Sequence, residues 1–334
     1  MDKKIRIGVL MGGPSVEREV SLKSGKAVLS ALKLARDDIV AIDIRKADKD
    51  YVIDLLLSYD IDLAFLALHG SFGEDGSMQS ILDQMCIPYT GSGSLASRLS
   101  MDKLASRKIF QAAGLVVPRY FVLDRRHRRI DNSFIFPLIV KPAACGSSFG
   151  LSIVDTLKEL KCAIDLAFKY DKCVLVEEYI EGREMTVGIF EDSPLEAIEI
   201  KPKQRFFDYK SKYVEGETDY LVPAPVSLKI MQLLEDTALK AHTLLGCSFF
   251  SRVDIILGNK NIPYVLEVNT IPGFTATSLL PKAALHKGIQ FPELVLRITQ
   301  ATSDRFARQA QETYDSCAKR IDAEHEKLSG VGSI

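Results

Sequence analysis

The sequence of 334 residues lacks the features that mark several large classes of protein. Its 43 Lys and Arg against 44 Asp and Glu leave a formal net charge of −1, with a pI near 6.5. Such a balance gives the chain no global attraction to nucleic acid or to an anionic membrane. One dense basic run, Arg125-Arg126-His127-Arg128-Arg129, lies between apolar stretches and beside Asp124 and Asp131. It reads as a solvated loop, with contact to a polyanion as its alternative. Six cysteines (Cys86, Cys145, Cys162, Cys173, Cys247, Cys317) are scattered without CxxC or His-paired spacing. That argues against a zinc site or a disulfide scaffold and fits a reducing compartment. No apolar stretch reaches the roughly 20 residues that span a bilayer. Lys3 and Lys4 precede only a short apolar run before Gly12-Gly13, without the long core and cleavage site of a secretion signal. A soluble cytoplasmic protein is expected, binding neither nucleic acid nor membrane. Internal repeats and low-complexity tracts are also missing.

What is present suits a well-packed globular chain of two or three domains, with 47% apolar residues and a mean hydropathy of +0.06. The most informative stretch runs from Ser251 to Leu257 and, after Gly258-Asn259-Lys260-Asn261, from Pro263 to Thr270. Both halves are rich in β-branched and aliphatic residues, and the polar link reads as a hairpin turn. Period-two alternation puts Arg252 and Asp254 on one face, and Glu267 and Asn269 on one face. Val253, Ile255, Leu266 and Val268 are expected to face an apolar layer on the other side. If the strands pair, one guanidinium and three oxygen ligands gather on a single patch. Two carboxylates and an amide oxygen, with no Cys or His among them, suit Mg²⁺ carrying nucleotide phosphates. The alternative is a surface hairpin with solvated charges.

From the start of the chain, Ile5–Leu10 reads as a strand that ends in Met11-Gly12-Gly13-Pro14-Ser15, with a helix beginning near Ser15. Its apolar face is expected to hold Val16, Val20, Ala27, Val28, Ala31 and Leu32. Strand, glycine turn and helix form the α/β ligand-binding arrangement, although these glycines do not spell GxGxxG. Two roles are open to Glu17 in the first helical turn: complementing the helix dipole, or holding a substrate ammonium. Two further α/β units follow: Val40–Ile44, a helix near Tyr51–Ser58, then Asp62–Leu68. The last runs into the loop His69–Gly76 at a strand's carboxyl end, where such sheets bind ligands. His69 there is either structural or a direct participant. The first domain is expected to close near residue 96. A helix containing Met101-Asp102-Lys103 then runs to Ala113-Gly114, and Lys103 by itself reads as a solvated lysine.

Lys141 ends the apolar run Phe136–Pro142, and burying a lysine is costly without an anionic partner. The following Gly146-Ser147-Ser148-Phe149-Gly150 offers backbone N–H groups and hydroxyls as a phosphate cradle, but it is not GxxxxGK[ST]. A strand at Cys173–Glu178 carries Glu177 and Glu178 into a second strand near Arg183-Glu184. Phe206–Tyr213 is an aromatic and basic connection that reads as a mobile lid. Pro272–Leu279 forms a loop beside the presumed metal strand. After residue 300 the chain turns polar and helical. Phe306, Ala310, Tyr314, Cys317 and Ile321 recur at helical spacing, for packing on the chain's own body or for a dimer contact.

Together these motifs resemble the D-alanine–D-alanine ligases of the ATP-grasp superfamily. The residues that carry the resemblance are Gly12-Gly13 with Ser15–Ser21, Ala67–Gly70 with Gly73–Gly76, Tyr89–Gly93 and Met101-Asp102-Lys103. Val140-Lys141-Pro142 with Gly146–Ser148 follows, then Asp208-Tyr209 with Lys212-Tyr213, Arg252 with Asp254, and Glu267–Thr270 with Pro272-Gly273. The order and spacing agree to about residue 300. The sequence departs from the commoner pattern at Ala143-Ala144-Cys145, Phe149 and Phe207.

The resemblance implies an N-terminal parallel α/β domain over residues 1–96, then a two-lobed α+β ATP-grasp fold over 97–181 and 182–334. It implies ATP-dependent ligation of two D-alanines through an acylphosphate for peptidoglycan synthesis, in a homodimer. Lys103, Lys141 and Lys212 would contact phosphates, Glu177 and Ile180 adenine, and Glu184 the ribose. Asp254, Glu267 and Asn269 would ligate two Mg²⁺, with Mn²⁺ as a substitute. Glu17 would bind the ammonium of the first D-alanine, linked through Ser147 to Tyr213. Arg252 and the backbone near Gly273 would stabilise the oxyanion, while Ser278 and Leu279 would receive the second amino acid and His69 would border the substrate. D-serine or D-lactate as second substrate, or a non-catalytic ATP-binding paralogue, are the alternatives. Tyr213 favours an amine nucleophile, and Leu279 a methyl side chain.

Overall fold

The computed structural model describes residues 5–131, 133–146, 149–203, 218–308 and 311. Ser147, Ser148, the Phe206–Tyr213 connection with Lys212, and the helix positions Ala310, Tyr314, Cys317 and Ile321 lie outside the described residues.

Short apolar runs alternating with amphipathic ones give β1 (Ile7–Gly12), α1 (Arg18–Lys33), β2 (Ile39–Ile44), α2 (Lys49–Tyr59) and β3 (Leu63–Leu66). β1 is the centre of a parallel sheet ordered β2-β1-β3, and all six of its residues are buried. A parallel strand covered on both faces is expected to read as such an unbroken apolar run. Helix α1 begins later than the sequence suggests. Glu17 is its N-cap, Glu19 is the acid of the first turn, and Val16 is exposed. The buried face runs instead through Ser21, Ser24, Gly25, Val28, Ala31 and Leu32, and its small residues let the helix approach β1.

After α3 (Ser77–Gln84), the single helix expected around Lys103 is two: α4 (Ser94–Met101) and α5 (Lys103–Ala112). The break falls at Asp102, an extended residue whose carboxylate accepts from Leu104 N at 2.9 Å and Ala105 N at 3.1 Å. An N-cap of this kind satisfies donors at a helix start, so Asp102 begins a new helix instead of continuing the old one.

A four-stranded antiparallel sheet follows in the order β4-β7-β5-β6, from β4 (Tyr120–Asp124), β5 (Leu138–Pro142), β6 (Ser152–Val154) and β7 (Cys173–Glu178). Helix α6 (Leu157–Ala167), capped by Thr156, buries Leu160, Ala163, Ile164 and Ala167. A third sheet has the order β11-β10-β8-β12-β13, with β9 (Ser193–Pro194) on β8. Its strands are β8 (Gly182–Phe190), β10 (Ile198–Pro202), β11 (Thr218–Leu221), β12 (Phe250–Gly258) and β13 (Pro263–Asn269). Helix α7 (Leu228–Leu244) packs on it, and α8 (Leu279–His286) follows β13.

The hairpin read from sequence is β12–β13, turned at Asn259–Asn261. Its register shifts once: Asp254 pairs with Glu267, but Ile255 pairs with Val265. Leu266 is the extra residue of this bulge. Val265, not Leu266, is therefore buried beside Val253 and Ile255, and Leu266 is turned to the opposite side.

The parallel sheet and the third sheet share one apolar core. Phe274, after β13, stacks edge-to-face on Phe65 of β3 at 5.4 Å and on Phe250 of β12 at 5.3 Å. Each fully buried phenylalanine contributes roughly 1.5–3 kcal/mol, so this cluster fixes the loop at Pro272-Gly273 firmly. A final helix α9 covers residues 291–308, starting before the polar stretch from which it was read. Leu294, Val295 and Ile298 are fully buried in that same core. Arg305 donates to Tyr89 O at 3.2 Å and Ser248 Oγ at 2.7 Å, so the described part of α9 packs on the chain's own body. No described helix is long and apolar enough to cross a membrane.

Candidate active site

Two cavities share one wall. The first, of about 470 Å³, lies between the parallel-sheet domain and the end of the β12–β13 hairpin. The second, of about 560 Å³, lies between the two antiparallel sheets. Lys103 and Glu267 border both.

At that wall Lys103 is buried, not solvated. Its ammonium lies 3.1 Å from Glu267 Oε2 and donates to Cys145 O at 2.9 Å. Burial works against its charge, but Glu267 outweighs burial and the pKa ends above the usual lysine value. The hairpin patch assembles beside it. Arg252 donates to both oxygens of Asp254, Nε at 3.0 Å and Nη2 at 2.8 Å. Asn269 Nδ2 lies 3.2 Å from Asp254 Oδ2, and Asp254 faces Glu267 across the strands. Asp254, Glu267 and Asn269 thus meet as hard oxygen donors once the Asn269 amide turns its oxygen inward, and they fit a hard divalent cation. Thr186, which sequence reading missed, donates to Asp254 Oδ1 at 2.6 Å.

The second cavity receives Lys141, Glu177, Ile180 and Glu184, four residues singled out from the sequence. Glu177 is nearly fully buried, with Lys141 Nζ 3.0 Å from its Oε2. Burial pulls the Lys141 pKa down to about 8, with Glu177 opposing and the charges of Arg107 and Lys103 reinforcing the fall. Leu266, displaced from the core by the bulge, joins Ile139, Ile153 and Ile256 in an apolar lining suited to a planar ring.

The first cavity is lined by Glu17, His69, Arg252, Gly273, Ser278 and Leu279 among others. The buried Glu17 carboxylate is bracketed by backbone. A methyl placed on Gly70 would come 2.4 Å from Glu17 Oε2, and one on Gly146 would come 2.7 Å from it. Ser15 Oγ donates to His69 O at 2.7 Å, tying the loop to the start of α1. Both ring nitrogens of His69 are engaged, Nδ1 with Ile271 O at 3.0 Å and Nε2 with Ser24 Oγ at 2.9 Å. A carbonyl can only accept, so Nδ1 carries the proton and Nε2 accepts from Ser24. His69 thereby joins the first domain to the loop after β13. Ser278 is the N-cap of α8, near Thr275 Oγ1 at 2.8 Å, and its helix start favours a carboxylate.

Two antiparallel sheets around a lysine-bearing cavity, with a parallel α/β domain closing one end, define an ATP-grasp ligase. Residues 6–58 and 56–92 match the family described as D-ala D-ala ligase N-terminus, and residues 109–300 match D-ala D-ala ligase C-terminus. A D-alanine–D-alanine ligase of Geotalea uraniireducens is 46% identical over 303 residues, spanning 90% of this chain and 96% of its own length. That of Geobacter sulfurreducens is 46% identical over 300 residues, 89% of this chain and 93% of its own. Among solved structures, the Bacillus anthracis D-alanine–D-alanine ligase complexed with ATP superposes with a TM-score of 0.79 at 34% identity. It covers 92% of this chain and 100% of its own. A D-Ala:D-Ser ligase of Enterococcus faecalis superposes with a TM-score of 0.78 at 31% identity, over 90% and 100%. The chain belongs to the D-alanine–D-alanine ligase family.

Proposed function

We propose that the chain joins two D-alanines into D-alanyl-D-alanine for peptidoglycan precursor synthesis, converting ATP to ADP and phosphate. The observation that carries this reading is the shared wall at Lys103 and Glu267. A phosphoryl group leaving a nucleotide in one cavity there meets a carboxylate held in the other.

The apolar lining of the second cavity takes adenine, with Glu177 and Ile180 recognising the base and Glu184 on the ribose. Lys103 and Lys141, with Lys212, hold the phosphates. Glu17 binds the ammonium of the first D-alanine. That D-alanine's carboxylate attacks the γ-phosphorus, the bond to ADP breaks, and an acylphosphate remains. The neutral amine of the second D-alanine, seated at Ser278 and Leu279, attacks the acyl carbon. Arg252 and the Gly273 backbone meet the oxyanion that develops, and it collapses with loss of phosphate, which carries off the proton given up by the amine. Asp254, Glu267 and Asn269 would hold Mg²⁺, or Mn²⁺ in its place, which when bound would neutralise the charge of the transferring phosphoryl group. The protein otherwise acts by positioning and by keeping water from the acylphosphate.

Leu279 borders the cavity and suits a methyl group. Such a pocket rejects an added hydroxyl only about 100-fold, so D-serine is the competitor to test. Phosphate release from ATP with Mg²⁺ and D-alanine, with the product weighed by mass spectrometry, tests the reading. One dipeptide per phosphate, with D-serine and D-lactate poorly incorporated, is expected. Phosphate release without dipeptide, or a mixed product in the presence of D-alanine, would overturn it.

A further inference from the structure

Arg107 has no part in the chemistry described above, and its position is costly. It is fully buried, and among the described residues none of its three guanidinium nitrogens meets a well-aligned acceptor. It lies one turn after Lys103 on α5, so both cations project from one helix face. Lys103 reaches the phosphate end of the nucleotide cavity, and Arg107 reaches Glu177 Oε1 at the base end. The Tyr120 ring lies 5.7 Å from the guanidinium. A buried ion pair out of hydrogen-bond alignment stabilises a fold poorly, and an apolar residue of similar size packs there at less cost. A charge kept in such a place points to a task beyond packing.

The task follows from what surrounds Glu177. Its two oxygens face two cations from opposite sides, Arg107 on Oε1 and Lys141 on Oε2. With Arg107 removed, Lys141 is the only cation left beside this carboxylate among the described contacts. Oε1 is then no longer held, and the carboxylate can turn both oxygens to the ammonium already 3.0 Å away, which draws it from the base edge and keeps the ammonium from the phosphates. Held between two cations, the carboxylate turns its oxygen lone pairs to the base. It accepts from the exocyclic amine of adenine and opposes the carbonyl that guanine carries at the same place.

We infer that Arg107 is a positioning residue for nucleotide choice, which fixes Glu177 as an acceptor for an amino-bearing purine and keeps Lys141 available to phosphate. The inference rests on the proposed assignment of Glu177 to the nucleobase. Its consequences fall on the nucleotide and not on D-alanine.

The test is steady-state kinetics of the full chain with ATP and with GTP, for Arg107→Met, Arg107→Lys and Glu177→Gln. Arg107→Met is expected to raise KM for ATP at least tenfold and to lower the ATP-to-GTP ratio of kcat/KM at least tenfold. KM for D-alanine and kcat should stay within twofold, and Arg107→Lys should fall between wild type and Arg107→Met. An unchanged ATP KM and base ratio in folded Arg107→Met would overturn the inference. So would parallel losses in kcat, both KM values and Tm that Arg107→Lys does not restore. Should Arg107→Met fail to fold, Arg107→Lys decides: an ATP KM raised more than twofold with D-alanine unaffected supports the role, and anything less overturns it. Glu177→Gln separates the two layers. If it leaves ATP KM and base ratio unchanged, the nucleobase assignment itself fails; if it changes them while the Arg107 variants do not, only the inference fails.

Discussion

Thr186 on β8 donates its hydroxyl to Asp254 on β12 at 2.6 Å, directly across the strand pair. Together with Arg252 this gives the Asp254 carboxylate donors on both oxygens and a single orientation. Partners of this kind set the direction of a metal ligand, and losing one typically weakens metal binding about 10–100-fold. Thr186→Val keeps the branched side chain in the strand and removes only the donor. It should raise the half-saturating Mg²⁺ concentration about tenfold and weaken Mn²⁺ binding measured by electron paramagnetic resonance, while Thr186→Ser stays near wild type. Equal Mn²⁺ affinity in the valine variant would show that Thr186 merely fills the strand pair.

Lys141 gives a pH dependence with a definite sign. Its pKa is lowered to about 8 by burial, against the pull of Glu177. Below that pH it is an ammonium able to meet phosphate, and above it the charge is lost. The value of kcat/KM for ATP should therefore fall by about tenfold per unit above pH 8, since that ratio reports groups of the free enzyme. Glu177→Gln removes the one neighbour that raises the pKa most, so the falling limb should move to lower pH. A limb that stays in place would assign it to another group.

Much of this site could be read from sequence because it is local. Arg252, Asp254, Glu267 and Asn269 lie on two strands joined by a short turn, so period-two alternation was enough to bring them together. The same rule failed one residue away. The bulge at Leu266 shifts the register, and no residue type in Pro263–Asn269 announces it. The local reading of Lys103 as solvated fails for another reason: both of its partners, Cys145 O and Glu267, come from distant parts of the chain. Thr186 and Arg107 look like any strand threonine and any helix arginine, and only tertiary contact separates them from the rest. The break between α4 and α5 did carry a signal, because Asp is a strong N-cap, but the run of helix formers around it obscured that signal.

Glu267 has two positions to serve, facing Asp254 at the proposed metal patch and pairing with Lys103 at the wall between the cavities. Glu267→Gln keeps the shape and removes the charge. Turnover should fall by at least ~100-fold, more than loss of a supporting partner alone would cause. Excess Mg²⁺ should restore little of it. Near-normal turnover would sink the assignment of Glu267 as a metal ligand.

The last prediction separates backbone strain from a clash in the amino-acid cavity. Gly70 has φ +77°, and a methyl there would meet Glu17 Oε2 at 2.4 Å and Ser15 Oγ at 2.8 Å. Gly288 has φ +85° with nothing among the described residues within 4 Å of the same position. Both alanine variants carry a similar backbone penalty, roughly 1–2 kcal/mol. Only Gly70→Ala also displaces Glu17 from the place where the first D-alanine's ammonium is proposed to bind. Gly288→Ala should lower Tm with KM values unchanged. Gly70→Ala should lower Tm by a similar or larger amount and raise KM for the first D-alanine about tenfold, with ATP KM unaffected. If the two variants match in every kinetic constant, the Glu17 carboxylate does not hold the substrate ammonium.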